Sequence, residues 1–299
     1  MGTAVALNLL DSGWTVHIYL RNLNRPFQSE NKNYPNLKLH MLTEENLRQE
    51  THPLFLMIPD QEHENFLRQY QACMIHIPAL IYAHGFSQTA YKIKQQFPQF
   101  EHILFAIKSI AREVRENYLS QSLIMAGIDL SSVSPSMQDW IQKLSIAVGV
   151  KSHTVETTFE EECINDLFTE QSILCYFLPY LSAQTYETLT NEGISSDMAF
   201  IESFYEMDLI LKTMLKVGPK QFFSLISPNA LIGSEWARDF YKDEISPKKM
   251  REHIQLLKKM DLKKFFSTNN YLKAKESNQN FWDNHPFQIA FEKWKKSCQ

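Results

Sequence analysis

Residues 79–107 read ALIYAHGFSQTAYKIKQQFPQFEHILFAI, and their reading decides the fold of the first half of the chain. Two apolar runs of strand length, Ala79–His84 and His102–Ile107, flank a polar stretch of helix size. Short apolar runs bounded by polar segments read as buried strands. The same alternation extends outward, through Thr15–Leu20, Leu37–Leu42 and Pro53–Ile58 upstream and Ser122–Ile128 downstream. Strands alternating with helical segments predict a parallel sheet with helices on both faces. Thr3–Ser12 reads as a helix that Gly13 stops just before the Thr15 strand.

From about Glu156 the pattern changes. Helical spacing dominates in Glu161–Phe177, Ser182–Glu192, Met198–Lys216, Pro247–Met260 and Pro286–Lys296, so the second half is expected to be all-helical. The expected domains are therefore 1–155, α/β, and 156–299, helical. Two polar stretches, Asn22–Pro35 and Asn269–Asn284, read as surface connections.

Composition limits the function classes. The 299 residues suffice for two cores, and a formal net charge of −4 gives no reason to expect a nucleic-acid partner. Cys73, Cys163, Cys175 and Cys298 show no metal-ligand spacing and suit a reducing cytoplasm. No apolar run approaches the ~20 residues that span a bilayer, and Asn8, Asp11 and Ser12 interrupt the first apolar run, unlike a signal peptide. A soluble cytoplasmic protein is expected. The chain has only 8 glycines, under half the usual share of roughly 7%, which leaves few for a phosphate-binding loop.

Two helical segments carry acidic pairs at i,i+4: Asp166 and Glu170 in NDLFTEQ, Glu202 and Glu206 in FIESFYEMD. On a helix this spacing stacks both carboxylates on one face. Four carboxylates without histidine or thiol would favour a hard cation such as magnesium. On spacing alone, a solvated acidic face remains the alternative.

The stretch Glu156–Cys175, ETTFEEECINDLFTEQSILC, closely resembles the ketol-acid reductoisomerase signature, approximately ETTFKEETETDLFGEQ. Further motifs follow in family order: NLLDSG at Asn8–Gly13, AHGF at Ala83–Phe86, AIKSIAREVR at Ala106–Arg115, the region Tyr186–Glu206, and Ser227–Gly233. The resemblance implies a Rossmann-like NADP-binding domain followed by an all-α, knotted-type domain. It also implies NADPH and Mg2+ as cofactors and a small-molecule 2-aceto-2-hydroxy acid as substrate. That substrate would be rearranged by alkyl migration and then reduced, in valine and isoleucine biosynthesis. By resemblance, Asp166, Glu170, Glu202 and Glu206 are the metal ligands. His84, Lys108 and Glu206 serve catalysis, and Ile226, Ser227 and Ala230 contact substrate. Gly2, Arg21 and Ser29 would bind the nucleotide, with Arg25 nearby. A homodimer with a shared site is implied, because short members take the second glutamate pair from the partner. The remaining histidines, among them His17, His40, His52, His63 and His102, read as structural.

The chain also departs from the family pattern. The family opens with a strand running into GYGSQG, and Met1-Gly2 aligns with the last two residues of that loop, so the sheet is expected to lack its usual first strand. AIKSIA at Ala106–Ala111 replaces a glycine- and proline-rich loop. Tyr176 and Phe177 replace paired glycines and are expected to narrow the site. Two readings stay open: a working NADPH- and magnesium-dependent enzyme, or a non-catalytic dimeric relative with a decayed nucleotide site.

Overall fold

The computed structural model describes residues 1–24, 27, 33–241 and 246–297. Arg25, Ser29 and Cys298 lie outside the described residues. The chain divides into two compact units, Met1–Cys163 and Ile164–Gln299.

The first unit runs α1 (Gly2–Asp11), β1 (Val16–Leu20), β2 (Leu37–Met41), α2 (Glu44–Arg48), β3 (Leu54–Leu56), α3 (Asp60–Tyr70), β4 (Ala79–Tyr82), α4 (Phe86–Tyr91), α5 (Ile93–Gln96), β5 (Glu101–Ile107), α6 (Ala111–Leu119), β6 (Ala126–Asp129), α7 (Pro135–Val148) and β7 (Thr154–Glu156). Each apolar run read from the sequence holds a strand. Gly13 adopts φ +83° after α1, the left-handed geometry that ends a helix without steric cost only for glycine.

The strands form two sheets. β1 pairs with β2 in parallel, while β3-β4-β5-β6-β7 make a separate five-stranded sheet. Two expectations need correction. β6 runs antiparallel to β5, with Ile107 opposite Ala126, because the chain returns through α6 to the end of β5 that it left; the Lys108 amide donates to the Met125 carbonyl there at 2.9 Å. An apolar run carries no information about strand direction, which its connection decides. β7 is an addition, since Thr-Val-Glu presents no apolar run.

Alternation along the central strands covers both faces. Ala79, Ile81, Ile103, Phe105 and Ile107 pack with Val5 of α1, Val114 of α6 and Ile141 and Leu144 of α7. On the opposite face Tyr82 meets His63 of α3 and Phe159. Each fully buried large side chain contributes roughly 1.5–3 kcal/mol. Buried Asn8 fixes α1 in place: its amide donates to the Val148 carbonyl at 3.0 Å and its oxygen accepts from Arg115 at 2.9 Å.

α8 (Phe159–Thr169) leads into the second unit. There follow a π-helical stretch (Glu170–Leu181), α9 (Ser182–Asn191), α10 (Ser196–Phe200), a second π-helical stretch (Ile201–Tyr205), α11 (Glu206–Leu225), α12 (Pro228–Phe240), α13 (Pro247–Lys259), α14 (Leu262–Phe265), α15 (Thr268–Trp282) and α16 (Pro286–Ser297). α11 kinks at Gly218, φ +78°. Ala183, Tyr186, Ala199, Phe200, Phe287 and Ala290 form its core. The polar stretch Asn269–Asn284 is largely helix α15, not the connection its composition suggests. None of its residues is buried, so it carries no apolar stripe to reveal its period, and Phe281 and Trp282 anchor its end against Tyr180.

Candidate active site

In the first unit the site grows from the ends of β4 and β5 and the first turn of α8. β4 delivers His84 and Gly85 to a turn that opens α4. A Cβ at Gly85 would stand 2.0 Å from the Phe159 carbonyl oxygen, so only glycine lets this turn lie against the start of α8. The buried Asp129 at the end of β6 holds that start, accepting from the Phe159 amide at 3.3 Å and from Ser131 at 2.7 and 3.0 Å. Below the turn, Ser87 Oγ lies 2.5 Å from buried His63 Nδ1 and 3.0 Å from Asp60 Oδ1, tying α4 to α3.

These contacts converge on Glu162, whose side chain is only 2% exposed. Its Oε2 accepts from the Gly85 amide at 2.6 Å and lies 3.7 Å from His84 Nε2. Its Oε1 pairs with Lys108 Nζ. Lys108 follows β5 directly and its side chain is 40% exposed, so the ammonium reaches from the buried carboxylate toward solvent. The structure thus brings the two sequence-chosen residues, His84 and Lys108, around a third that the sequence reading passed over. A signal for Glu162 was present: it stands four residues before Asp166, so Glu162, Asp166 and Glu170 recur at one-turn intervals.

Both acidic pairs straddle a change of helix type. Asp166 lies in α8 and Glu170 opens the first π stretch; Glu202 lies in the second and Glu206 opens α11. π-helical turns are rare and concentrate at functional sites. Asp166 is half-buried, and Glu170, Glu202 and Glu206 are exposed. The Cys175 thiol is pushed up by partial burial and then by the charges of Glu170 and Asp166. The first π stretch runs directly into α9, and the second packs on it. Tyr176 is half exposed and its ring contacts Phe177 and Tyr180.

Ile226 and Ser227 join α11 to α12. Ser227 is the N-cap of α12, accepting from the Ala230 amide at 3.2 Å, with Pro228 at the first helical position. All three substrate-contact candidates therefore lie at one helix N-terminus, an environment suited to a carboxylate.

Among the nucleotide candidates, Gly2 opens α1 where a Cβ would stand 3.1 Å from Met57 Cβ, close to the end of β3. Arg21 follows β1, exposed, 3.7 Å from Glu62. Both line one cavity of about 620 Å³. Ser29 lies outside the described residues.

Residues 1–152 match the family model described as acetohydroxy acid isomeroreductase, NADPH-binding domain. Residues 159–296 match ketol-acid reductoisomerase, C-terminal domain. Two proteins named ketol-acid reductoisomerase (NADP(+)), from Methanococcus maripaludis strains C6 and C5, are each 27% identical over 238 residues, covering 78% of this chain and 70% of theirs. A solved structure described as an NADH-preferring ketol-acid reductoisomerase from an uncultured archean has a TM-score of 0.81 at 23% identity, covering 99% of this chain and 91% of its own. Plasmodium falciparum pyrroline carboxylate reductase, solved with NADP bound, has a TM-score of 0.52 at 12% identity over 87% of this chain and 93% of its own. At these identities the two structures speak to the fold.

Proposed function

The chain belongs to the ketol-acid reductoisomerase family, and from that premise we propose that it rearranges and reduces a 2-aceto-2-hydroxy acid, using NADPH and Mg2+. The observation that carries this reading is the cluster of Glu162, Lys108, the Gly85 amide and His84 at the strand ends. A buried carboxylate paired to a half-exposed ammonium, with an imidazole beside it, can hold a water or hydroxyl and move its proton.

The acids fit a hard divalent ion. Asp166, Glu170, Glu202 and Glu206 supply only oxygen donors, and each pair stands at the junction of an α-helical and a π-helical stretch. Bound there, magnesium would act as a Lewis acid on the substrate oxygens. Glu206, as first residue of α11, would also orient the substrate hydroxyl for catalysis. The Ser227 hydroxyl, at the N-terminus of α12 with Ile226 and Ala230 beside it, would receive the substrate carboxylate. Gly2 lets the nucleotide approach the start of α1, and Arg21 would meet the adenosine end. NADPH would supply the hydride.

A homodimer in the cytoplasm completes the reading. Leu209, Ile210, Leu211, Leu215, Trp236 and Phe240 all stand exposed on the second unit, and a second copy would cover them. NADPH consumption on adding 2-acetolactate and magnesium tests the function. Turnover that requires both supports it; no oxidation at saturating cofactor, metal and substrate sinks it.

A further inference from the structure

Between Asp166 and Glu170 the helix changes type, because Asp166 lies in α8 and Glu170 opens the first π-helical stretch. An α-helical amide bonds the carbonyl four residues back and a π-helical amide the carbonyl five back. The step between them leaves one backbone carbonyl without a helix amide, so contacts from outside the ladder must hold it. Side-chain donors reach carbonyls at this junction. The Thr169 hydroxyl donates to the Asp166 carbonyl at 3.1 Å, and the buried Ser172 hydroxyl donates to that of Phe168 at 2.6 Å. A helix far along the chain grips the same place. His253 of α13 donates from Nε2 to the Gln171 side-chain oxygen at 2.9 Å, and its ring centroid lies 5.2 Å from that of Phe168. At about 100° per residue, Phe168 and Gln171 stand on the opposite side of the helix from the two acids.

We propose that His253 is a positioning residue of the metal site, which holds the α-to-π step from behind and so sets where Glu170 points relative to Asp166. This rests on the reading of those two acids as magnesium ligands, and it gives His253 no contact with metal or substrate. One imidazole touches the residue two after Asp166 and the residue directly after Glu170, so it spans the step. Its ring packs on Phe168 while its N–H fixes Gln171. A π turn takes more residues than an α turn. Relaxation of the first π turn to α spacing would therefore rotate Glu170 about the helix axis and spoil its register with Asp166, as misplaced supporting groups do at metal sites generally.

Magnesium affinity of the full chain, measured by calorimetry without substrate or cofactor, provides the test. His253→Phe keeps a ring against Phe168 and removes the N–H, whereas His253→Gln keeps an N–H donor near the place of Nε2. The expected result is an affinity about five-fold weaker for His253→Phe, in the range of one lost hydrogen bond, and a parental affinity for His253→Gln. In a Glu170→Gln background His253→Phe is expected to weaken binding no further, because it acts through Glu170. A role confined to keeping α13 in place would weaken both backgrounds alike. Equal affinity of the parent and His253→Phe, a loss that His253→Gln does not restore, or the same loss in the Glu170→Gln background would each overturn the proposal and leave the function standing. A parent chain that binds no magnesium would overturn both.

Discussion

The Lys108 ammonium and the Glu162 carboxylate meet as an ion pair although 54 residues separate them. The pair exists because β5 ends at Ile107 and α8 begins at Phe159, and Asp129 at the end of β6 and Gly85 after β4 fix the start of α8. Glu162 is almost wholly buried while Lys108 is not, so the carboxylate depends on the pair more than the ammonium does.

Replacing Glu162 with glutamine is expected to lower kcat about 100-fold, in the range of a lost acid–base group, while near-ultraviolet circular dichroism stays native. Lys108→Met should cost a similar factor. If the two act as a unit, the double variant will fall no further than the worse single one. Multiplying losses would show that they work separately.

Gly85→Ala tests the packing that builds the site. The added methyl would meet the Phe159 carbonyl oxygen at 2.0 Å, a backbone atom that cannot swing aside. A loss of about 3 kcal/mol is expected, measured as a lower urea midpoint with an unchanged slope. A variant as stable as the parent would mean that the turn and α8 are not in contact.

Much of this arrangement was legible in the sequence, for identifiable reasons. The runs ALIYAH and HILFAI gave β4 and β5 because a buried strand must be apolar on both faces, and their ends placed His84 and Lys108. What stayed hidden were quantities the periodicity does not encode. The direction of β6 depends on where α6 lets the chain return, and α15 has no buried residue to mark its period. Glu162 hid among three adjacent acids, Glu160–Glu162, of which the fold buries only the last. The i,i+4 acids were visible, but not the change to π-helix at Glu170 and Ile201.

Magnesium binding can be read without catalysis. Glu202→Gln should weaken it about ten-fold or more by calorimetry, one charged oxygen ligand being lost. Saturating magnesium should also lower the Cys175 thiol pKa, because the ion offsets the charges of Glu170 and Asp166 that help raise it. Faster alkylation of Cys175 at pH 8 with magnesium than without is the expected outcome. An alkylation rate indifferent to magnesium would remove these acids from the ligand set.

Glu50 makes a prediction about acid stability. Burial alone would raise its pKa, but hydrogen bonds from the Tyr19 hydroxyl, the His52 amide and ring and the Thr51 amide outweigh it and bring the carboxyl to about 2. A folded-state pKa below the unfolded value means that the unfolded chain binds the proton more readily. The stabilisation is then fully present above the ordinary value of 4.5 and is lost as pH falls from there through about 2. Glu50→Gln should therefore be less stable than the parent at pH 6, and the gap should narrow as pH falls below 4.5 and close only through about pH 2. Urea midpoints of both proteins across that range provide the measurement. A gap independent of pH would show that Glu50 acts through packing rather than through its charge.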